Sequence, residues 1–557
     1  MSTLAHRAGA ALEVAADALA AVRVLHREGL VELTRPDRAL RASRETLRLG
    51  PVTAAVRIAR RRTPDVVAVV DRRGSTTYRR LDERAAALAH GLLDVAGTPP
   101  GSDRTPVVGL LCRDHRGPIE VLAACGYAGA RAVLLNTGSA APQLGAVLER
   151  EGVDVVVHDA EFASTVAAAT TGRELPRIVA DAEQGAGDGV PTVDDLVAAA
   201  PAGPPRTPAR SGGLVVLTSG TTGVPKGAPR PKVSPVQTAQ VLDRLPFPRG
   251  ATVLMAAPVF HGTGLSQTCL AMSAGCSLVL PGRFDAAQVV SLASETRAEV
   301  LVLVPTMLHR ILALEPSAHD LAAVRRIYVG GSALPADLCR RTTQLLGPVL
   351  HNLYGSTEVG VAAVADPHDL ALAPGCVGRP PVAARVRVLG PDRAEVPTGE
   401  RGVVFVRSAL TFTGYSDGTG KEVVDGYVST GDIGHWDEHG LLHIVGREDD
   451  MVVSGGENVA PSRVEDVLAT HPGVDEVAVV GIPHEEFGQV LRAVVVPRGD
   501  ARPDVEELRS LARHQLARHE VPREVWLVDE LPRNTTGKVL RRVLAAAGDP
   551  AELLRKG

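Results

Sequence analysis

The sequence predicts an α/β protein: a large N-terminal domain of α/β sheets with a small β-rich subdomain, followed by a small, mobile α+β C-terminal domain. Three observations predict it. From about residue 51 to 430, short β-branched runs alternate with alanine- and leucine-rich helical stretches, the pattern of buried parallel strands between helices. Between 385 and 447 the helical stretches fade. After Asp450 helices and strands mix again in a short span. At 557 residues the chain exceeds what one compact core supports.

In chain order, Leu12 to Leu25 reads as an amphipathic helix with Leu12, Ala15, Leu19 and Val22 on one face. That face is expected to dock on the protein's own surface, with weak contact to a membrane surface as the alternative. Glu13 and Asp17 exclude a secretory apolar region. Strands are expected at Val107–Cys112, Ala132–Leu135, Val153–Val157, Leu214–Leu217, Val300–Val304 and Arg326–Val329. The proline-rich segment Pro201–Ser211 is a surface connection before a strand. Gly402–Val406 and Leu441–Val445 mark the β-rich subdomain. Beyond Asp450, helices are expected at Arg463–Thr470 and Val505–Ala517, and strands at Val474–Val480 and Leu491–Val496. The domains divide as 1–50, an N-terminal helical extension; 51–448, the large domain; and 449–557, the small one.

Apolar residues make up 45% and charged residues 22%, ordinary for a globular protein. A net charge of −4 gives no basic excess for binding nucleic acid. No run approaches the ~18 apolar residues of a membrane span. The six cysteines lack CxxC spacing, which fits reduced, buried side chains in a cytoplasmic protein. Of 60 basic side chains only five are lysine: Lys226, Lys232, Lys421, Lys538 and Lys556. A lysine inside a glycine-rich motif is therefore informative, because the chain otherwise uses arginine for positive charge.

Four motifs carry chemistry. LTSGTTGVPKG (217–227) follows an apolar run and places hydroxyls, glycines and a lysine where a phosphate cradle needs them. It is not a Walker A loop, since GxxxxGK[ST] cannot be laid over it. NLYGSTE (352–358) sets a hydroxyl beside a carboxylate, which suits Mg²⁺ acting on phosphates; alone it is a weak signal and reads better as a solvated turn. In the long run 425–465, Asp432 could accept two hydrogen bonds from a ribose diol. There Arg447 precedes the acids Asp449 and Asp450, and Gly455 and Gly456 permit close backbone approach. PRNTTGKVLR (532–541) puts Lys538 after a glycine in a turn, where a mobile cation could be delivered to another domain's cleft.

These four motifs in this order resemble the acyl-adenylate-forming superfamily. GSALPADL, NLYGSTEVG, KEVVDGYVSTGDIGHWDEHG and GREDDMVVSGGENVAPSRVED look most like bacterial fatty acid–CoA ligases. The resemblance implies ATP-dependent activation of a carboxylic acid, such as a fatty acid, to acyl-AMP, then transfer to coenzyme A. It implies that Thr218, Ser219, Gly220, Thr221, Thr222, Gly223 and Lys226 hold the β- and γ-phosphates. Gly331, Ser332 and Ala333, with Asn352, Leu353 and Tyr354, line the adenine slot. Thr357 and Glu358 serve the α-phosphate and Mg²⁺, with Thr218 also near the metal. Asp432 and Arg447 bind the ribose, Asp449 is the hinge, Lys538 the adenylation lysine, and Gly455 and Gly456 border a pantetheine passage. His261, in PVFHGTG, adjoins the carboxylate and acyl pocket; as a lone histidine it would read as structural. Implied partners are a small carboxylic acid, ATP and CoA, with a homodimer or a carrier protein in trans left open. The alternative reading keeps the adenylate and changes its acceptor to a carrier-protein thiol or an amine.

Overall fold

A computed structural model describes every residue except 1, 32–33, 100–101, 103, 182–188, 202, 206–207, 219–225, 231–233, 318, 413, 455–456, 485–486, 535–536 and 555–557. Two large sheets form the body. One has eight strands in the order Gly360–Ala365, Leu350–Ser356, Arg326–Gly330, Val300–Leu303, Thr252–Met255, Ser277–Val279, Val67–Asp71 and Gly74–Thr77. Its six inner strands are parallel and only the two edge strands are antiparallel. Val300–Leu303 is buried at every position, so an uninterrupted apolar run is what a strand covered on both faces requires.

The second sheet has six strands: Arg177–Asp181, Val155–Asp159, Val107–Leu111, Arg131–Leu134, Leu214–Thr218 and Lys226–Arg230. Five run parallel, and the last folds back on its neighbour so that Thr218 faces Lys226 in register. The expected strands therefore exist, displaced at their ends by one or two residues. One large apolar cluster joins both sheets through the helices between them, among them Pro51–Arg62 and Arg116–Ala128. These two helices approach closely at Gly126, where an added Cβ would lie 2.8 Å from the Thr53 Cβ.

The β-rich part is a five-stranded sheet of Ala384–Leu389, Gly402–Ser408, Tyr427–Trp436 and Val423–Val424, with Leu442–Arg447 also paired to Tyr427–Trp436. This last pairing sets Asp432 opposite Arg447. The small C-terminal domain carries the fourth sheet: Glu457–Val459, Val452–Ser454, Gly488–Pro497 and Val474–His484, with Glu524–Leu527 parallel to Gly488–Pro497. Its longer helices are Pro461–Leu468 and Val505–Gln515, with the short Arg541–Ala546 and Pro550–Leu554 after them.

The N-terminal helix α1 is Ser2–Arg27, nearly twice the expected span, and it does dock on the protein itself. The face that docks differs from the expected one. Ala21, Val24 and Leu25 are buried, whereas Leu19 and Val22 point to solvent and Ala15 is exposed; the Leu12 side chain lies outside the described residues. The helix lies along Pro235–Leu242. Its acids meet the β-rich sheet, Glu13 accepting from Arg407 and Asp17 from Arg385, both at 2.8 Å. Ion pairs and one short apolar patch select the face, and neither is visible in apolar periodicity alone. A second helix, α2 (Pro36–Leu49), follows and turns at Gly50 into α3 (Pro51–Arg62).

Gly126→Val should lower the thermal unfolding midpoint by several degrees, corresponding to overpacking of about 1–3 kcal/mol. An unchanged midpoint in differential scanning calorimetry would contradict the close approach of these helices.

Candidate active site

The strand Arg326–Gly330 ends at two glycines beside Leu353 of the next strand. A Cβ on Gly330 would lie 2.9 Å from a Leu353 methyl, and Gly331 adopts φ +91°, so this bend admits no larger residue without strain. Asn352, on the same strand as Leu353, is buried and donates from its carboxamide to the Cys376 carbonyl at 2.8 Å. Its side chain thus serves to fix the strand. Tyr354, two residues on, reaches across to the β-rich sheet and donates its hydroxyl to Asp432 Oδ2 at 2.6 Å.

Asp432 gathers donors from separate elements. Arg447, across the strand pair, donates to Asp432 Oδ1 at 3.2 Å and to the Thr430 carbonyl at 3.1 Å. Burial raises the Asp432 carboxyl above the ordinary carboxylate range; the Tyr354 hydrogen bond and the charges of Arg447 and Lys538 oppose that rise. Lys538 belongs to the C-terminal domain, so its charge reaches Asp432 across the contact between domains.

The turn that carries Lys538 is built for this contact. Asn534 accepts from the Gly537 amide through its carbonyl and from the Lys538 amide through its side chain, each at 2.9 Å. Gly537 adopts φ +77°, and a Cβ there would collide with the Thr306 hydroxyl. Thr306 opens the helix Pro305–Ala313, and one turn further His309 meets Asp475 of the C-terminal sheet at 3.3 Å. The Lys538 turn is therefore seated on the large domain.

Lys226 stands at the neck of the hydroxyl-rich loop. Its ammonium donates to Thr419 Oγ1 at 2.9 Å, pairs with Asp417 at 3.1 Å and lies over the Tyr415 ring at 5.3 Å. The Thr419 hydroxyl and then Lys226 hold the Asp417 carboxyl down at about 2. Tyr415 in turn donates to Glu358 Oε1 at 2.6 Å. The segment around Tyr415 thus ties the lysine of the first motif to the carboxylate of the second. Sequence reasoning missed Tyr415, Asp417 and Thr419. The available signal was a tyrosine in a glycine-rich stretch of a chain with only six tyrosines.

Thr357 and Glu358 lie in the turn between Leu350–Ser356 and Gly360–Ala365, where Ser356 Oγ accepts from the Glu358 amide at 3.2 Å. Ser332 and Ala333 follow Gly331 in the adjacent turn. Asp449 sits in the short 3-10 turn Glu448–Asp450. Ser219, Gly220, Thr221, Thr222, Gly223, Gly455 and Gly456 lie outside the described residues, as does the Thr218 side chain.

His261 occupies the N-cap position of the helix Gly262–Ser273 without a side-chain capping bond, and its ring lies tilted against Phe260, with ring centroids 4.4 Å apart. Its Nε2 is buried without a hydrogen-bond partner among the described residues. Gln267 and Thr268, about two turns along the same helix, also carry buried polar atoms without partners. The loop before His261 is pinned where the Val259 amide donates to Asp114 at 2.8 Å. No hydrogen bond joins His261 to the Asp432 cluster among the described residues. Elsewhere Cys112, His115 and Asp159 are close enough to surround a metal. However, His115 already accepts from the Gly117 amide and donates to Asp159, leaving neither ring nitrogen to a cation.

A family model described as AMP-binding enzyme matches residues 56–416, and one described as AMP-binding enzyme C-terminal domain matches 463–538. A feruloyl-CoA synthase from Amycolatopsis sp. is 36% identical over 86% of this chain and 96% of its own length. A fatty acid–[acyl-carrier-protein] ligase, ScoC, from Streptomyces coeruleorubidus is 31% identical over 86% and 93%. Among solved structures, ATP-bound MatB from Rhodopseudomonas palustris superposes with a TM-score of 0.76 at 28% identity, covering 88% of this chain and 98% of its own.

Burial lowers the His261 imidazole from its ordinary value of 6.5 to about 4. The folded protein should keep this ring neutral from pH 5 to 8, about the range in which free histidine titrates. Its contribution to stability is then lost as pH falls from 6.5 towards 4, where only the unfolded chain takes up the proton. NMR titration of the histidine ring signals, with His261→Gln for assignment, should give a midpoint near 4; a midpoint at the ordinary value would contradict its burial.

Proposed function

The chain belongs to the AMP-binding enzyme family, and on that footing we propose that it joins a carboxylic acid to AMP, releasing pyrophosphate from ATP, and then passes the acyl group to the thiol of coenzyme A. The observation that carries this reading is the Lys538 turn seated against Thr306 with its charge acting on the half-buried Asp432. A carboxylate is a poor electrophile because it is anionic and lacks a leaving group. Attack of its oxygen on the α-phosphorus, with cleavage of the bond to the bridging oxygen, gives a mixed anhydride and pyrophosphate. The protein's part is positioning and charge stabilisation.

In this reading Lys538 lies between the two oxyanions, where a compact ammonium serves better than a planar guanidinium. Asp432 takes the ribose hydroxyls on lone pairs that Tyr354 and Arg447 leave open. The loop Thr218–Gly223 and Lys226 hold the departing phosphates, with Lys226 exchanging its Asp417 partner for them. Mg²⁺ fits Glu358: Tyr415 holds one carboxylate oxygen, and the described residues place no hydrogen bond on the other. When bound, the ion neutralises phosphate charge. His261 Nε2 is a buried neutral group short of a partner, suited to the acid or to the group next to it.

In the second step the thiol sulfur attacks the acyl carbon, its proton passes to solvent and AMP leaves. The large domain 51–448 and the small domain 449–557 would rotate about Asp449 between steps, moving Lys538 out and bringing Gly455 and Gly456 towards a pantetheine passage. The name of the more similar of the two relatives favours an aromatic acid such as ferulate over the fatty acid that the motifs suggest. ScoC's name supports the second reading, in which a carrier-protein thiol replaces coenzyme A.

The test is pyrophosphate release and AMP formation with ferulate and with fatty acids of graded length, each with CoA, with a carrier protein, and with neither. CoA should convert a slow release into sustained turnover with acyl-CoA as product. Turnover that needs a carrier protein or an amine, and ignores CoA, would contradict the assigned acceptor. Tyr354→Phe removes a donor that keeps Asp432 ionised, so it should raise KM for ATP roughly tenfold. It should also move the acid limb of kcat/KM for ATP to higher pH. Unchanged KM and pH profile would detach Tyr354 and Asp432 from the nucleotide.

A further inference from the structure

The described residues leave ten large apolar side chains exposed, and five of them, Val14, Leu19, Val22, Leu40 and Leu47, fall within α1 and α2. These two helices make up less than a tenth of the chain, so the exposed apolar surface is concentrated in the extension. Both helices precede residue 56, where the family match begins. The clustering is therefore a property of this extension, separate from the catalytic body.

On α2, Leu40 and Leu47 are seven residues apart, which puts them on one side of the helix, and each is more than half exposed. Arg41, Arg44 and Arg48 flank them and are exposed. None of these three arginines forms an ion pair among the described residues. The two acids of the helix are already engaged, Asp37 by the neighbouring Arg35, and Glu45 by Arg57 and Arg61 of α3. The outer face of α2 thus offers unneutralised guanidinium groups around two leucines. The inner side is fixed by its turn into α3, where Leu49 is buried.

We propose that the outer face of α2 docks on an anionic lipid bilayer, its arginines at the phosphate level and Leu40 and Leu47 in the headgroup–acyl boundary. Charge complementarity selects the anionic surface, and the interleaved leucines select a bilayer over an acidic protein or nucleic acid, which would match the arginines and leave the leucines wet. No helix of the described residues is long and apolar enough to cross a membrane, so the contact is peripheral and reversible. The proposal is independent of which acid the enzyme activates.

The experiment is flotation of the full-length protein with vesicles of phosphatidylcholine alone and of phosphatidylcholine mixed with phosphatidylglycerol. Binding should require phosphatidylglycerol and weaken at high salt. It should fall about tenfold or more in Arg41→Gln/Arg44→Gln/Arg48→Gln, the loss expected when cations near an anionic surface are removed. Leu40→Ser/Leu47→Ser should also weaken it, and both variants should retain parental pyrophosphate release with a water-soluble acid. Equal binding to both vesicle types, no binding, or binding unaffected by either variant would overturn the proposal. So would a dimer in sedimentation analysis that the leucine variant dissociates and that does not bind vesicles, which would assign the face to a second copy of the chain.

Discussion

A carboxylate largely withdrawn from water, at Asp432, is the constraint on which the rest of this structure depends. Burial disfavours its charge, and the site answers with a hydroxyl from Tyr354, a guanidinium from Arg447 and the charge of Lys538. The three come from different places: a strand of the eight-stranded sheet, a strand of the β-rich sheet and a turn of the C-terminal domain. The ionised site is complete only when all three parts are assembled. Position and protonation are therefore linked, because moving the C-terminal domain away removes one of the charges that oppose the burial of Asp432.

The contacts that seat the Lys538 turn and the C-terminal sheet on the large domain are of a kind that costs little to break. Gly537 against Thr306 is a steric fit that requires a glycine, and His309 with Asp475 is a partly exposed pair. Such exposed pairs contribute about 0–1 kcal/mol. Neither resembles the large apolar clusters that fuse the two body sheets. A small, polar contact of this kind permits the domain to re-dock at modest cost.

The sequence made the strands legible wherever both faces are covered, because runs such as Val300–Leu303 have no polar residue to place. It also singled out the hydroxyl- and glycine-rich segment 217–227, the acid at 432 and the glycine–lysine turn as candidates, since each is a local pattern of scarce residue types. What it could not show is what those groups touch. Lys226 is held by Asp417 and Thr419, nearly two hundred positions away, and Tyr415 links it to Glu358. Such pairings follow from sheet topology and not from spacing. The docking face of α1 differs from the apolar stripe for the same reason: Glu13 and Asp17 find arginines on strands far along the chain, and these pairs together with the buried Ala21, Val24 and Leu25 set its rotation.

The central claim is that the seated Lys538 turn completes the site for forming the adenylate and has no part in the thioester step. Lys538→Ala, assayed separately for pyrophosphate exchange and for acyl-CoA formation from supplied acyl-AMP, tests it most directly. The account predicts loss of exchange with the second reaction largely retained. Equal loss of both, in a variant that folds normally, would contradict it.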